Sequence, residues 1–285
     1  MKQLSAPPNV WKTYYQILSA KRSANFTPQQ SLPGLAYRLN GIALSQKRLQ
    51  RYNRVCGYDL PDMVLATYPQ VLAFPLLMNM LASREFPLPV LGLVHTKNSI
   101  QYLKPISVAD VLDIVVRVAQ QRLVEKGLEF DVEIEVFVRD ELVWRASMSM
   151  LSRCKTDVPK SAKPAQDEPI AKNISQWRLG SGLGRQYGWA SGDLNPIHLS
   201  ALTAKLFGFK RAIAHGMWSK AKSLAELSSQ LPPCPYEVTV KFKTPIFLPN
   251  TIRFAHCCDE ELLRFDLWNR DGSKPHLAGQ IKPII

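Results

Sequence analysis

Apolar and polar residues alternate in both halves of the chain, which predicts strands with one buried face. Every even-numbered residue from Leu128 to Val138 is apolar, and the residues between them are mostly acidic. A period of two residues is typical of a half-buried strand. Residues 143–150, 238–242 and 263–267 show the same alternation. Because strands do not alternate with helices along either half, we expect antiparallel rather than parallel sheets.

One apolar segment of helical length comes before the strands of each half. The first segment begins at Phe74 and the second at His215. In each half, this pattern therefore predicts one helix followed by an antiparallel sheet that wraps it. The halves also align weakly, since residues 102–110 match residues 242–250 with a proline at the same relative position. A repeated order of elements indicates two copies of one structural unit.

Segments that contain several prolines mark the predicted boundaries. Residues 1–35 predict an irregular arm with one short helix. Residues 156–172 lack apolar periodicity and predict an extended linker. Residues 36–155 and 173–285 then form the two halves, which have similar lengths.

The second half contains a short polar stretch that has no counterpart in the first half. It places Asp193, Asn195 and His198 within six residues, with Gly192 and Pro196 shaping the chain around them. A carboxylate and a neutral imidazole that share one water molecule form an acid–base pair near neutral pH. The alternative is an ordinary turn, because aspartate, asparagine, glycine and proline are all favoured in turns. These residues alone leave both interpretations open.

Residues 187–198 resemble the hydratase signature of the MaoC-like dehydratases, also called (R)-specific enoyl-CoA hydratases or type 2 hydratases. The signature is an aromatic residue, a small residue, Gly-Asp-x-Asn-Pro, an aliphatic residue and His. Residues 212–217 are similar to the family's apolar-x-His-Gly-Met segment, and residues 240–250 to its Lys-Phe-x-x-Pro-x-Phe-x-Gly-Asp strand. The last two positions differ, since Pro249-Asn250 replaces Gly-Asp. The resemblance covers about residues 175–283.

The resemblance implies an α+β fold, the double hotdog, in which each repeat wraps an antiparallel sheet around a long central helix. The second repeat would be catalytic, and residues 36–155 would form a degenerate repeat that accommodates the acyl chain. The implied reaction is the reversible hydration of a trans-2-enoyl thioester to an (R)-3-hydroxyacyl thioester. The protein would then be a hydro-lyase of fatty acid metabolism. Asp193 and His198 would be its catalytic dyad, with no cofactor and no metal.

Negative charge develops on the thioester oxygen during this reaction, so the site needs a hydrogen-bond donor there. Gly216 opens the second central helix, and a helix N-terminus has free N–H groups at the positive end of its dipole. We therefore predict that the Gly216 N–H binds this oxyanion. The aligned residue of the first half is Pro75, expected in the first turn of its helix, where proline is tolerated but cannot donate. The first half is thus predicted to be inactive.

Four further residues are candidates beside the dyad. Asn195 is expected to orient the site. Tyr187, Ser219 and His215 are candidate substrate contacts, although each has a structural alternative. For Tyr187 the alternative is a place in the pocket wall or the core. For Ser219 it is core packing, and for His215 it is capping or packing of the helix start. Residues 256–258, His-Cys-Cys, are not expected to bind a metal, because neighbours on a strand point to opposite faces.

Composition limits the class of protein. The chain has 285 residues, 46% hydrophobic and 21% charged, which is the balance of a globular protein. No apolar run approaches the roughly 18 residues of a membrane-spanning helix. The first residues lack the apolar core of a signal peptide, and the five cysteines are scattered. We therefore expect a cytoplasmic protein with reduced thiols and no membrane insertion.

The formal net charge of +13 favours an anionic partner. The basic residues are spread along the chain, without the stripe or tail of a nucleic-acid-binding protein. The predicted partner is an acyl-CoA or acyl-carrier-protein thioester, with Lys205, Lys210 and Arg211 either near phosphate or solvated. The alternatives are a non-catalytic acyl-thioester-binding hotdog protein and a hotdog thioesterase. The expected assembly is a monomeric pseudo-dimer or a homodimer.

Overall fold

The computed structural model describes residues 1–19, 26–60, 62–159 and 168–284. The strands in these ranges are β1 Lys2–Leu4, β2 Ala36–Ala43, β3 Leu93–Tyr102, β4 Val111–Val124, β5 Gly127–Val138, β6 Glu141–Arg153, β7 Ser175–Leu179, β8 Tyr236–Phe242, β9 Asn250–Asp259, β10 Leu262–Asn269 and β11 Pro275–Pro283. The α-helices are α1 Val10–Ser19, α2 Gln46–Cys56, α3 Tyr68–Ala82, α4 Leu183–Ser191, α5 Pro196–Leu199, α6 Ala201–Lys205 and α7 Gly216–Glu226.

The strands β1–β11 join one sheet in the order β1-β2-β4-β5-β6-β3-β8-β11-β10-β9-β7. Apart from β1 at one edge, this order is symmetric about the β3–β8 pair, in which Ile100 lies opposite Val238. On each side of that pair the strands follow the same relative sequence, and α3 and α7 are the corresponding helices. Every pairing within a half is antiparallel, apart from that of β1 with β2. The architecture is the double hotdog expected from the sequence.

Burial along the strands follows the predicted alternation. In β5, Phe130, Val132 and Ile134 are fully buried, while the acidic residues between them are partly exposed. Asp266 of β10 departs from the pattern because it is buried and accepts a hydrogen bond of 2.7 Å from the Ile170 N–H. Burial raises the pKa of this carboxyl.

The central helix of the first half begins earlier than the sequence predicted. α3 starts at Tyr68 and not at Phe74, so Pro75 lies inside the helix. The prediction that Pro75 occupies a first turn was therefore wrong. α3 is buried on nearly every side, and a helix that is apolar all round has no amphipathic period to mark its start. Pro75 still lacks an N–H to donate.

A buried polar chain connects the two central helices through the sheet. Lys220 of α7 is fully buried, and its Nζ donates to Asn98 Oδ1 at 2.6 Å and to the Val238 carbonyl at 3.0 Å. Asn98 Nδ2 then donates to Gln70 Oε1 of α3 at 3.0 Å. Buried polar groups require such partners. Because Lys220 draws its acceptors from both halves, the halves share one core.

The predicted N-terminal arm contributes a strand as well as a helix. β1 pairs in parallel with β2, and α1 packs against α3. Residues 20–25 of the arm and 160–167 of the predicted linker lie outside the described residues. The linker and the domain boundaries therefore stay predictions. None of the helices α1–α7 is both long and apolar enough to cross a membrane.

Candidate active site

Two capping turns bring the predicted dyad together. α4 ends just before Gly192, whose φ of +83° is a left-handed conformation that favours glycine. Asn195 then caps α5, because its Oδ1 accepts a hydrogen bond of 3.3 Å from a backbone N–H at the helix start. Asp193 lies between these two helices and His198 lies within the second. Gly192 and Asn195, which shape the two turns, therefore bring the Asp193 carboxylate and the His198 imidazole together.

The two carboxylate oxygens of Asp193 have different surroundings. Oδ1 accepts hydrogen bonds from the Tyr14 hydroxyl at 3.0 Å and from the Asn195 N–H at 3.2 Å. Oδ2 lies 3.8 Å from His215 Nε2, and the side chain is 29% exposed. Burial acts to raise the pKa of this carboxyl, but attraction to His215 and His198 and the two hydrogen bonds outweigh it. The pKa is therefore lowered, and Asp193 is ionised at neutral pH.

His198 is neutral and has one open ring nitrogen. Its Nδ1 lies 2.8 Å from the Ile213 carbonyl. Since a carbonyl only accepts hydrogen bonds, Nδ1 carries the proton and Nε2 carries the lone pair. Burial lowers the pKa of the ring, and the Asp193 carboxylate only partly opposes this effect. Within the described part of the chain no donor is paired with Nε2, which is therefore available to accept a proton.

His215 packs against the dyad and holds the backbone of Asp193. Its Nε2–H donates to the Asp193 carbonyl at 3.0 Å, and its ring stacks on that of His198 with centroids 3.6 Å apart. Burial and the nearby His198 lower its pKa to about 3, so the ring is neutral. His215 is the N-cap residue of α7, but its side chain makes no capping hydrogen bond.

Gly216 begins α7 at a point where a side chain does not fit. A Cβ there would lie 2.9 Å from the nearest carbon of the Phe242 ring. Among the described residues, no protein acceptor is bonded to the Gly216 N–H. This N–H is therefore open at the positive end of the helix dipole.

The other predicted contacts bond or pack within the protein. Ser219 is buried, and its hydroxyl donates to the His215 carbonyl at 3.4 Å, one turn back along the chain. Tyr187 is buried, with the rings of Tyr52 and His215 at centroid distances of 5.9 and 4.8 Å. Arg211 donates to a backbone carbonyl just before β9 at 3.3 Å.

Tyr14 also contacts Asp193, but it precedes Asp193 by 179 residues and no sequence motif points to it. Tyr14 lies on α1 with Thr13 and Ile17, which are also buried. This spacing is a signal of a helix with one buried side, but the local sequence does not show what that side covers. His95 of β3 also has no predicted role. Its ring packs on the phenylalanine that ends β8, and burial lowers its pKa to about 4.

Asp193, His198 and His215 each offer one ligand atom, and these atoms lie within 4.8 Å of one another. A metal ion bound by histidine lies near the ring plane, about 2 Å from the nitrogen. The imidazoles of His198 and His215 are stacked with planes only 25° apart, so the planes do not meet at such a point. The arrangement suits a shared water molecule better than a metal ion.

Comparison with known proteins relates the second half to one family. Residues 173–273 match the family described as MaoC like domain. The chain is 29% identical over 255 residues to 3-hydroxyacyl-thioester dehydratase X of Mycobacterium tuberculosis. The aligned region covers 89% of this chain and 91% of that protein.

Solved structures extend the similarity to the fold of both halves. The crystal structure of HtdX of Mycobacterium tuberculosis matches with a TM-score of 0.77 at 28% identity, over 88% of this chain and 100% of that chain. A MaoC-like dehydratase from Phytophthora capsici matches with a TM-score of 0.69 at 18% identity, over 88% of this chain and 96% of that chain. The second similarity concerns the fold alone.

Proposed function

We propose that this chain, whose residues 173–273 match the family described as MaoC like domain, reversibly hydrates trans-2-enoyl thioesters to (R)-3-hydroxyacyl thioesters. The similarity to a 3-hydroxyacyl-thioester dehydratase supports this class of reaction. One observation carries the proposal. An ionised Asp193 and a neutral His198 lie side by side, and among the described residues Asp193 Oδ2 and His198 Nε2 make no protein hydrogen bond.

A water molecule held by Asp193 Oδ2 and His198 Nε2 is the proposed nucleophile. An oxygen of Asp193 and a ring nitrogen of His198 lie within 4.8 Å of each other, a separation that one water can bridge. The water oxygen bonds to C3 of the enoyl group while one proton passes to Nε2. The Asp193 carboxylate stabilises the imidazolium, which returns that proton to C2. The substrate thereby gains one OH and one H, and the reverse sequence is dehydration.

Gly216 is the proposed donor to the thioester oxygen. As water attacks C3, electrons shift toward the carbonyl, and a donor there stabilises the enolate. The open N–H at the start of α7 suits this role. Residues 36–155 lack the Asp-x-Asn-Pro-x-His motif, and we assign to them the accommodation of the acyl chain. The carrier is coenzyme A or acyl carrier protein, both of which bear phosphate and complement the basic chain.

An absorbance assay tests the reaction. Purified protein is mixed with crotonyl-CoA and with longer trans-2-enoyl-CoA thioesters, and the loss of conjugated-thioester absorbance is followed. Chiral chromatography then identifies the product, which we expect to be the (R) form. Asp193→Asn and His198→Ala should each lower kcat by about 10²–10⁴-fold, the usual contribution of a general acid–base group.

Matched controls change the same residue types outside the site. Asp271 lies in the turn between β10 and β11, and His256 lies on β9. Asp271→Asn and His256→Ala should keep the wild-type kcat. The proposed function would be contradicted if the folded protein turned over no enoyl thioester. This holds for every chain length, on coenzyme A and on acyl carrier protein. Release of free thiol without hydration would instead indicate a thioesterase.

A further inference from the structure

The N-terminal helix reaches the dyad from outside the MaoC-like domain. Tyr14 of α1 is only 7% exposed, and its hydroxyl donates to Asp193 Oδ1 at 3.0 Å. Thr13 and Ile17 of the same helix are also buried, while the neighbouring Tyr15 is 72% exposed. Residues 173–273, which match the family, do not include this helix.

The Tyr14 hydrogen bond makes the two oxygens of Asp193 inequivalent. Oδ1 accepts from the Tyr14 hydroxyl and from the Asn195 N–H. Oδ2 lies 3.8 Å from His215 Nε2, whose proton is donated to the Asp193 carbonyl. Charge-assisted hydrogen bonds are strong and directional, so two donors hold Oδ1 in place. Oδ2 keeps its lone pairs for a water molecule.

α1 packs against α3 and also contacts α4. Trp11 of α1 packs on Trp189 of α4 with ring centroids 5.8 Å apart. α4 ends directly before the turn that carries Asp193. The start of α1 is capped by Asn9, whose Oδ1 accepts from a backbone N–H at 3.1 Å. Both rings are more than half exposed, so this contact places α1 beside the helix that leads to Asp193, while the packing of α1 against α3 supplies the larger contact.

We propose that Tyr14 is a positioning residue for hydration, which holds Asp193 Oδ1 so that Oδ2 faces the reacting water. This inference rests on the proposed function and adds to it a residue of the N-terminal arm. Tyr14 does not touch the reacting atoms and acts through Asp193. Burial and the Asp193 carboxylate raise the pKa of the Tyr14 hydroxyl, so it remains a hydrogen-bond donor at neutral pH.

Several other titratable side chains interact with Asp193 and stay in place when Tyr14 is changed. They are His198 of α5, His215 before α7, Tyr187 of α4 and His95 of β3. The attraction of His215 and His198 lowers the pKa of the Asp193 carboxyl independently of Tyr14. Loss of the tyrosine hydroxyl therefore raises that pKa but leaves Asp193 ionised at neutral pH.

Tyr14→Phe tests the proposal, because phenylalanine keeps the ring and removes only the hydroxyl. In the enoyl-CoA assay we expect kcat to fall about tenfold, the worth of one hydrogen bond to a charged group. KM should stay within about twofold, because the interaction lost acts on the reaction and not on binding. Tyr15→Phe, the same change at an exposed position of α1, should keep both constants. Unchanged kcat in Tyr14→Phe, or a loss confined to KM, would overturn the proposal.

A carboxyl titration separates this inference from the proposed function. Aspartate is labelled with carbon-13 at its carboxyl, and the Asp193 signal is identified by its loss in Asp193→Asn. In Tyr14→Phe the midpoint of this signal should rise by about one pH unit, while Tyr15→Phe should leave it unchanged. An unchanged midpoint in Tyr14→Phe overturns the inference whatever the turnover. If the midpoint rises but the protein hydrates no enoyl thioester, the proposed function is overturned, and with it the role of Tyr14 in hydration. The hydrogen bond between Tyr14 and Asp193 would still stand.

Discussion

Burial has opposite effects on the two members of the dyad. It raises the pKa of a carboxyl and lowers that of an imidazole, because each charged form loses its hydration. For His198 the effect of burial prevails. For Asp193 the two neighbouring histidines and the hydrogen bonds to its carboxylate prevail. The site therefore holds an anionic acceptor beside a neutral base at neutral pH.

These protonation states predict where activity is lost in acid. Neutral His198 is the active form, and its lowered pKa means that protonation is half complete only below the ordinary value of about 6.5. We expect kcat/KM on an enoyl-CoA to be constant near neutral pH and to fall in acid with a midpoint below about 6.5. The measurement is a pH profile in a buffer series of constant ionic strength.

Asp193→Asn provides the internal comparison for this profile. The carboxylate raises the pKa of His198, so its removal should move the acid midpoint of any residual activity to lower pH. A wild-type midpoint above that of an ordinary histidine, or a midpoint that rises in Asp193→Asn, would contradict the assigned protonation states.

At the scale of elements, the start of α7 meets two physical requirements with one residue. The Phe242 ring of β8 leaves no room for a Cβ at Gly216. The same position provides an unpaired N–H at the helix N-terminus. The sequence predicted where this helix starts, because an apolar segment of helical length begins at His215 and residues 212–217 resemble the family segment that opens its central helix. It did not predict the ring contact, because Phe242 comes from a later strand.

Two substitutions separate the effect of the Gly216 N–H from the effect of filling the gap beside the Phe242 ring. They are Gly216→Pro and Gly216→Ala. Both place a carbon against the Phe242 ring and should cost some stability. Only proline removes the N–H, and proline is tolerated at the first helical position. We expect kcat of Gly216→Pro to be about 10²–10³-fold below that of Gly216→Ala. Thermal melting followed by circular dichroism checks that both variants fold, and equal kcat in the two would remove the oxyanion assignment.

At the scale of the whole molecule, the two halves depend on each other. Their sheets join through the β3–β8 pair, from Lys97 opposite Lys241 to Tyr102 opposite Tyr236. Lys220 of the second half has its side-chain acceptor on Asn98 of the first. In the second half alone, Lys220 would keep only the Val238 carbonyl as an acceptor. Loss of a partner by a buried amine is costly, so the second half is poorly suited to exist alone.

Residues 168–285 expressed alone are therefore expected to lack a cooperative unfolding transition. β8 would become an exposed edge that favours aggregation, and Lys220 would lose its Asn98 acceptor. Thermal melting and size-exclusion chromatography provide the measurement. Co-expression with residues 1–159 should restore a soluble complex with one transition. An isolated second half that melts cooperatively at the temperature of the full chain would contradict this prediction.

The sequence by itself determined the alternating strands, the start of α7 and the grouping of Asp193 with His198. Strands follow from a period of two residues, and the candidate dyad follows from capping residues spaced closely along the chain. Such features depend on local conformation, so they can be predicted without knowing how the elements pack.

Only the tertiary structure decided which distant residues complete the site. Tyr14 meets Asp193 across 179 residues, and Phe242 of β8 determines the space beside Gly216. The start of α3 was also decided by packing, because a helix buried on all sides loses the amphipathic period that marks its ends. These contacts arise when elements from separate parts of the chain pack together, and local residue patterns do not specify that packing.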